Sequence, residues 1–335
     1  MKRTFLAALT LTLAASSCAQ IDHPTNTQLA QELADRSKNG VALAKFSEAD
    51  NTLEVRSFDG HVEKVPLEIN GELRMATHGR MAVLDLDPTI RHKMAEAALR
   101  GDRALYLELF ARLSGNIVLL SNTGKIERRS AVRVNASVMA VSRDGEKLAF
   151  IGVPQGISET EFGVYVGDFD SKRLVRVFAF GSDDPRQPLG AAGRATLDWA
   201  PTGKKLLFSY RGKITTFDVD GGSSLKIADG GSARWSPSGD QISFVGPKYE
   251  AMLLDLPTGK IAAIDPGFEI DSTMEWSPDG SYLLIPEGEG THVPYGCHWV
   301  YRLSDKAFFP ECDYHLINPL PFWIKIEHSD DMPGK

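Results

Sequence analysis

The stretch WSPSGDQISF, from Trp235, is written again almost unchanged as WSPDGSYLLI from Trp276. A chain that repeats a bulky apolar residue, a tight turn and a strand in this way folds as copies of one supersecondary unit, and no other feature of the sequence restricts the fold as much. Two looser copies precede these. Counted from the turn glycine, Gly145 is followed by Leu148 and Phe150, Gly203 by Leu206 and Phe208, Gly239 by Ile242 and Phe244, and Gly280 by Leu283 and Ile285. Apolar residues two apart share one face of a strand. The preceding SRDG, APTG, SPSG and SPDG stretches supply the turn: Pro237 and Pro278 preset φ, and the glycine closes the turn without a Cβ clash. Val141, Trp199, Trp235 and Trp276 each end the strand before the turn and provide the apolar plug that packing between successive units requires.

A second series runs alongside, of short hairpins whose turns fall at Asp59, Asn122, Asp170, Asp220, Pro257 and Ser304. Their spacings of 63, 48, 50, 37 and 47 residues surround the length of one four-stranded propeller blade. Six blades of about 45 residues account for about 270. The expectation is an all-β, six-bladed β-propeller over residues 40–328, preceded by a signal peptide (1–17) and a tether with room for a short helix (18–39), and followed by a tail (329–335). The first unit, VALAKF, TLEVRSF and HVEKV, has three strands where later blades have four. The run Pro321 to Ile326 is left over at the other end, so the C-terminal strand is expected to complete the first blade and close the ring.

Turns of the SPDG type after tryptophan, each followed by an alternating strand, resemble the repeats of TolB-like β-propellers. The resemblance covers residues 135–310 and is weaker before them, where Gly79, Ala82 and Leu84 echo the offsets. It implies a fold and carries no reaction, because propellers serve as scaffolds, binding proteins and enzyme appendages alike. TolB has a sizeable α/β domain ahead of its propeller, and this chain has only a short polar lead there, so the partners of that family do not transfer with the fold.

One segment breaks the β pattern. In residues 87–115, Asp87 reads as an N-cap, Pro88 as the first helical residue, Gly101 as a stop, Asp102 as a second cap and Gly115 as an end, which predicts two helices inserted in the second blade over 88–114. Ile90, Met94 and Ala98 are expected to line the inner face of the first, and Leu105, Leu109 and Leu113 that of the second, with Tyr106 and Phe110 beside them. A propeller does not need such an insertion. With Arg91, His92, Lys93 and Arg100 it is basic on its polar side in a chain of net charge −7, so these four, with Tyr106 and Phe110, are the candidates for binding an acidic partner. The competing reading is a purely structural cover.

The N-terminus MKRTFLAALTLTLAASSCAQ has two cations, an apolar run too short to span a bilayer, and small residues, as in a bacterial export signal. Ala15-Ser16-Ser17-Cys18 is similar to a lipoprotein lipobox, with Ala where Leu is usual, and makes Cys18 the candidate lipidation site. A signal-peptidase site at Ser17-Cys18-Ala19 competes. Ala19 after the cysteine favours the outer membrane by the same resemblance. Without Lys2 and Arg3 the net charge falls from −7 to −9, which disfavours nucleic acid as a partner. The motifs of α/β-hydrolase, zinc-protease, CxxC and P-loop chemistry do not occur in the sequence. His292, His298 and His315 lie near Cys297 and Cys312, but an exported chain more readily pairs the two cysteines, which flank a hairpin with its turn about midway, in a disulfide than uses them for metal. Asp218 and Asp220 lack the spacing of a calcium loop and fit a hairpin turn. No cofactor is expected. The function expected is a periplasmic lipoprotein, monomeric, that binds another envelope protein without catalysis; the alternative is a propeller hydrolase or lyase with its site in the central mouth.

Overall fold

The computed structural model describes residues 27–37, 41–47, 51–58, 60–69, 74–77, 80–157, 161–180, 195–270, 272–288, 297–312 and 322–325. The repeated turn explains its own sequence. In each of the four copies the glycine N–H donates to the residue three before it: Gly145 to Ser142 (2.8 Å), Gly203 to Ala200 (2.8 Å), Gly239 to Ser236 (3.0 Å) and Gly280 to Ser277 (2.9 Å). The four glycines have φ between 67° and 80°, a region that side-chain-bearing residues adopt at a cost. Where the turn begins with serine, its hydroxyl also accepts from the backbone that opens the next strand: Lys147 N–H (2.8 Å), Gln241 N–H (3.0 Å) and Tyr282 N–H (2.9 Å). The apolar pairs that follow each turn are buried, as are Val141, Trp199, Trp235 and Trp276.

The strands form five sheets. Two compact units share them. The first unit contains helix α1 (Thr27–Ser37) and three four-stranded antiparallel sheets. One sheet is β1 (Val41–Ser47), β2 (Thr52–Arg56) and β3 (Val62–Pro66), with the last strand of the chain, β23 (Phe322–Lys325), on the other side of β1. Val41 stands opposite Lys325 and Ala44 opposite Phe322. The second is β15 (Gly231–Trp235), β16 (Gln241–Val245), β17 (Ala251–Asp255) and β18 (Lys260–Ile264). The third is β19 (Glu275–Trp276), β20 (Tyr282–Pro286), β21 (Cys297–Arg302) and β22 (Ala307–Cys312). First strands are linked side by side: Arg234 in β15 pairs with Glu275 in β19 (3.3 Å), and the Trp323 indole N–H donates to the Glu275 carbonyl (3.2 Å).

The second unit holds β4 (Arg74–Thr77), β5 (Arg80–Asp85), helices α2 (Pro88–Leu99) and α3 (Arg103–Arg112), β6 (Gly115–Leu120), β7 (Ile126–Val141), β8 (Lys147–Pro154), β9 (Gly163–Asp168) and β10 (Leu174–Ala179), followed by β11 (Thr196–Trp199), β12 (Lys205–Tyr210), β13 (Lys213–Asp218) and β14 (Ser224–Asp229). Strands β4 to β10 make one seven-stranded sheet, and β11 to β14 another of four. The six separate blades expected from the turn spacing are therefore not found; the second and third expected blades share one sheet. The cause is β7. Its first half, to Val134, pairs with β6 and its second half, from Val134, with β8. The sequence IERRSAVRVNASVMAV has no glycine or proline to break it, so an outer strand runs on as the next inner strand, with register shifts in both halves where the pairing changes. Trp199 ties the neighbouring sheet to β7 through its indole N–H on the Ala140 carbonyl (3.3 Å).

Candidate functional site

The α2–α3 pair forms where its punctuation places it. The Asp87 carboxylate accepts from Thr89 N–H (2.8 Å), an interaction that holds its pKa below the usual range, and Pro88 opens α2. At the far end Gly101 (φ 70°) donates to Ala98 O (3.1 Å) and Asp102 N–H to Ala97 O (2.9 Å), closing α2 before the Asp102 carboxylate caps α3 through Leu105 N–H (3.0 Å). The inner faces differ in part from expectation. Met94 and Ala97 are buried from α2, and Ala98 is exposed; from α3, Leu109, Phe110 and Leu113 are buried with Tyr106 packed beside them, whereas Leu105 is 39 % exposed. The stripe through 106, 109, 110 and 113 shares a core cluster with Leu84, Ile117 and Leu119 of the sheet and with Leu86 just past β5, and Leu105 lies one position off it. Asn135 in β7 fastens the end of α3 by donating to Phe110 O (3.0 Å).

This packing divides the candidate partner-binding residues. Phe110 is only 7 % exposed and Tyr106 stacks on it (centroids 6.5 Å apart), so both serve the core. His92, Lys93 and Arg100 are exposed. Glu96 lies between two of them, 3.3 Å from His92 Nε2 and 3.5 Å from Arg100. Arg91 belongs to the same helix. The structure adds an apolar element that the sequence reading did not assign to the surface: Leu99 is 90 % and Leu107 46 % exposed.

A second polar constellation was absent from the sequence reading. The lead segment is not slack over 27–37: α1 buries Leu29 and Leu33 completely, against Leu43, Tyr282, Leu284, Val300 and Trp323. Between them Glu32 accepts from the Tyr282 hydroxyl and from Arg302, while Arg302 also donates twice to Asp305 (2.9 and 2.7 Å). Arg36 pairs with Asp279 and lies over the Tyr282 ring, 4.7 Å from its centroid. The Tyr282 hydrogen bond, aided by Arg302, holds Glu32 below its usual range. Burial works against ionisation of Asp279, but hydrogen bonds from Arg36 and Ser277 outweigh it and bring its pKa to about 2. Burial and the Glu32 hydrogen bond push Tyr282 up to about 12. Asp279 is the variable residue of the SPDG turn, so the repeat supplies one end of this network.

The backbone register of β21 and β22 sets Cys297 opposite Cys312. His298 is buried in β21, while His292, His315 and the lipidation candidate Cys18 lie outside the described residues. Among the described residues no group of three His, Cys, Asp or Glu side chains is placed to hold a metal, and no helix is long and apolar enough to cross a membrane. Asp218 accepts from the N–H groups of Asp220 (3.1 Å) and Gly221 (2.7 Å), the hydrogen bonding of a hairpin turn.

No family model matches the chain, and no curated protein matches it. Among solved structures it is similar to TolB from Acinetobacter baumannii, with a TM-score of 0.56 at 17 % identity, over 84 % of this chain and 66 % of that one. The fold is that of a TolB-like β-propeller. A putative TolB from Agrobacterium tumefaciens gives a TM-score of 0.47 at 12 % identity, over 81 % of this chain and 87 % of that one. The chain thus spans just under two thirds of the length of the first TolB structure, and at these identities the likeness is one of fold.

Proposed function

We propose that this TolB-like propeller is an exported cell-envelope lipoprotein, anchored through Cys18, that works as a non-catalytic binding or scaffold module for another envelope protein. In this reading β23, by adding to β1, is the closing strand of the propeller. The observation that carries the binding role is the α2–α3 pair: its inner face is consumed by the sheet, and its outer face presents His92, Lys93 and Arg100 beside exposed leucines in a chain of net charge −7. Cations on one exposed face of an acidic protein steer an acidic partner more than they add stability. The test replaces residues 88–114 by a short Gly-Ser link and measures recovery of a stoichiometric partner from envelope extracts. A trimmed chain that folds and is exported but recovers no partner supports the reading; unchanged recovery refutes the assignment to the helices. Anchoring is tested separately. Cys18→Ala is expected to move the protein from the membrane fraction to the soluble periplasm with its fold intact, and a mature N-terminus at unmodified Ala19 or Gln20 would refute lipidation.

A further inference from the structure

We propose that the outer strand β18 pairs antiparallel with the β18 of a second copy of this chain, joining two molecules through one continuous sheet. This departs from the monomer expected on sequence and is independent of the partner assigned to the helices. Each of the five sheets ends in an outer strand, β3, β10, β14, β18 or β22, with no strand on its far side among the described residues. Such an edge presents a row of backbone N–H and C=O groups to any extended chain unless charges, proline or a bulge block it.

Four of the five edges are blocked. Strand β3 carries Glu63 and Lys64 and ends in Pro66; β10 carries Arg176 and shifts register between Arg176 and Phe178; β14 carries Lys226 and Asp229; β22 carries Pro310 and Glu311. Strand β18 carries a single charge, Lys260 at its first position, and neither proline nor bulge. From Ile261 to Ile264 it holds no charge and no proline, and its register with β17 is unbroken from Lys260 opposite Asp255 to Ile264 opposite Ala251. Its first four residues are exposed, and Ile261 is 45 % exposed.

The occupant follows from the edge. Only an extended backbone matches the alternating donors and acceptors, and this strand is compatible with itself. When a strand pairs antiparallel with its own copy, outward-facing residues meet outward-facing residues, so one residue faces itself across the two-fold axis. Centred on Ala262, that operation sets Ile261 opposite Ala263 and Lys260 opposite Ile264, with two small side chains on the axis and no like charges opposed. Centred on Ala263 it would set Ile261 against Asp265, and the same operation at the middle of β3 would set Lys64 against Lys64. The net charge of −7 opposes approach at long range, but salt screens it beyond about 8 Å at physiological ionic strength, and the contact itself carries Lys260 from each copy. A single strand pair is small for an interface, so the dimer should be reversible by dilution.

Sedimentation velocity of the purified chain from about 1 to 100 μM, a range that brackets the affinities of small interfaces, should show a dimer growing with concentration. Ala262→Lys, at an exposed position, should stay monomeric at every concentration with an unchanged thermal melt. The register has its own readout: under mild oxidation Ala262→Cys should give a covalent dimer absent from the parent chain, because facing Cα atoms lie about 4.5–5.5 Å apart, and Ala263→Cys should not. A parent chain that is monomeric throughout overturns the proposal, as does a dimer that survives Ala262→Lys or crosslinks equally through position 263.

Discussion

Leu33→Ala probes what holds α1 in place. Leu33 is fully buried among Leu29, Leu43, Tyr282, Leu284, Val300 and Trp323. Truncation removes three carbons, worth about 2.5 kcal/mol in transfer from water alone at about 0.8 each, and an unfilled cavity raises the cost of such changes toward about 5 kcal/mol. A helix of 11 residues is too short to persist in water by itself, so the loss is expected to appear as undocking of α1 rather than unfolding of the sheets. At about 1.4 kcal/mol per decade, 2.5 kcal/mol raises the undocked population roughly 60-fold. Trypsin cleavage after Arg36, which is paired with Asp279 when docked, reports that population when reclosing is fast. The rate should rise by that order in Leu33→Ala and stay at the parent value in Gln28→Ala, whose side chain is exposed. Leu29→Ala added to Leu33→Ala should cost less than the two singles summed, because a helix already undocked has nothing more to lose. A cleavage rate within about twofold of the parent in folded Leu33→Ala would refute the account.

The same docking should weaken at both ends of the pH scale. Glu32 and Asp279 have folded pKa values below their unfolded ones, so their contribution is complete above the ordinary carboxylate range and is lost as pH falls through the folded values, which for Asp279 is about 2; Tyr282 is raised, so its contribution is complete below pH 10 and is lost as pH rises through about 12. Denaturation midpoints measured against pH should lose their alkaline arm in Tyr282→Phe and keep only the part of the acid arm that Asp279 supplies, because the Tyr282 hydroxyl is also the main support of the Glu32 carboxylate. The backbone register sets Cys297 opposite Cys312 in the β21–β22 hairpin, and a disulfide between them predicts that the native protein titrates with no reactive thiol at these two positions; reduction should cost about 3 kcal/mol in the chain-entropy account, read by chemical denaturation. Gly152→Ala should destabilise by about 1–3 kcal/mol, since an added Cβ would stand 2.0 Å from the Asn135 carbonyl oxygen across the β7–β8 ladder.

What was legible in the sequence were the features set by neighbours along the chain. The turn glycines, the serine that opens three of the four turns, the buried pairs at fixed offsets and the caps of α2 and α3 could all be read because each is a contact within a few residues. The inner faces of the helices were read less well. Ala97 and Ala98 are equally apolar, and only the angle at which α2 meets the sheet chooses between them. The same held for Leu105 and Phe110: composition could not tell an exposed leucine from a buried phenylalanine, and the candidate binding surface shrank accordingly.

By itself the sequence determined a repeating β architecture, the positions of its turns and an inserted helix pair, because turn stereochemistry and side-chain alternation act over a few residues and need no distant partner. Tertiary structure alone decided how those units are grouped and fastened. Strand β7 continues through a boundary that spacing assigned to two blades, since an uninterrupted strand keeps its hydrogen-bond ladders on both sides. Glu32, Tyr282 and Arg302 meet across about 270 residues of chain, a convergence that appears in no local pattern because the free energy favouring it, burial of Leu29 and Leu33, exists only once the sheets they cover have formed.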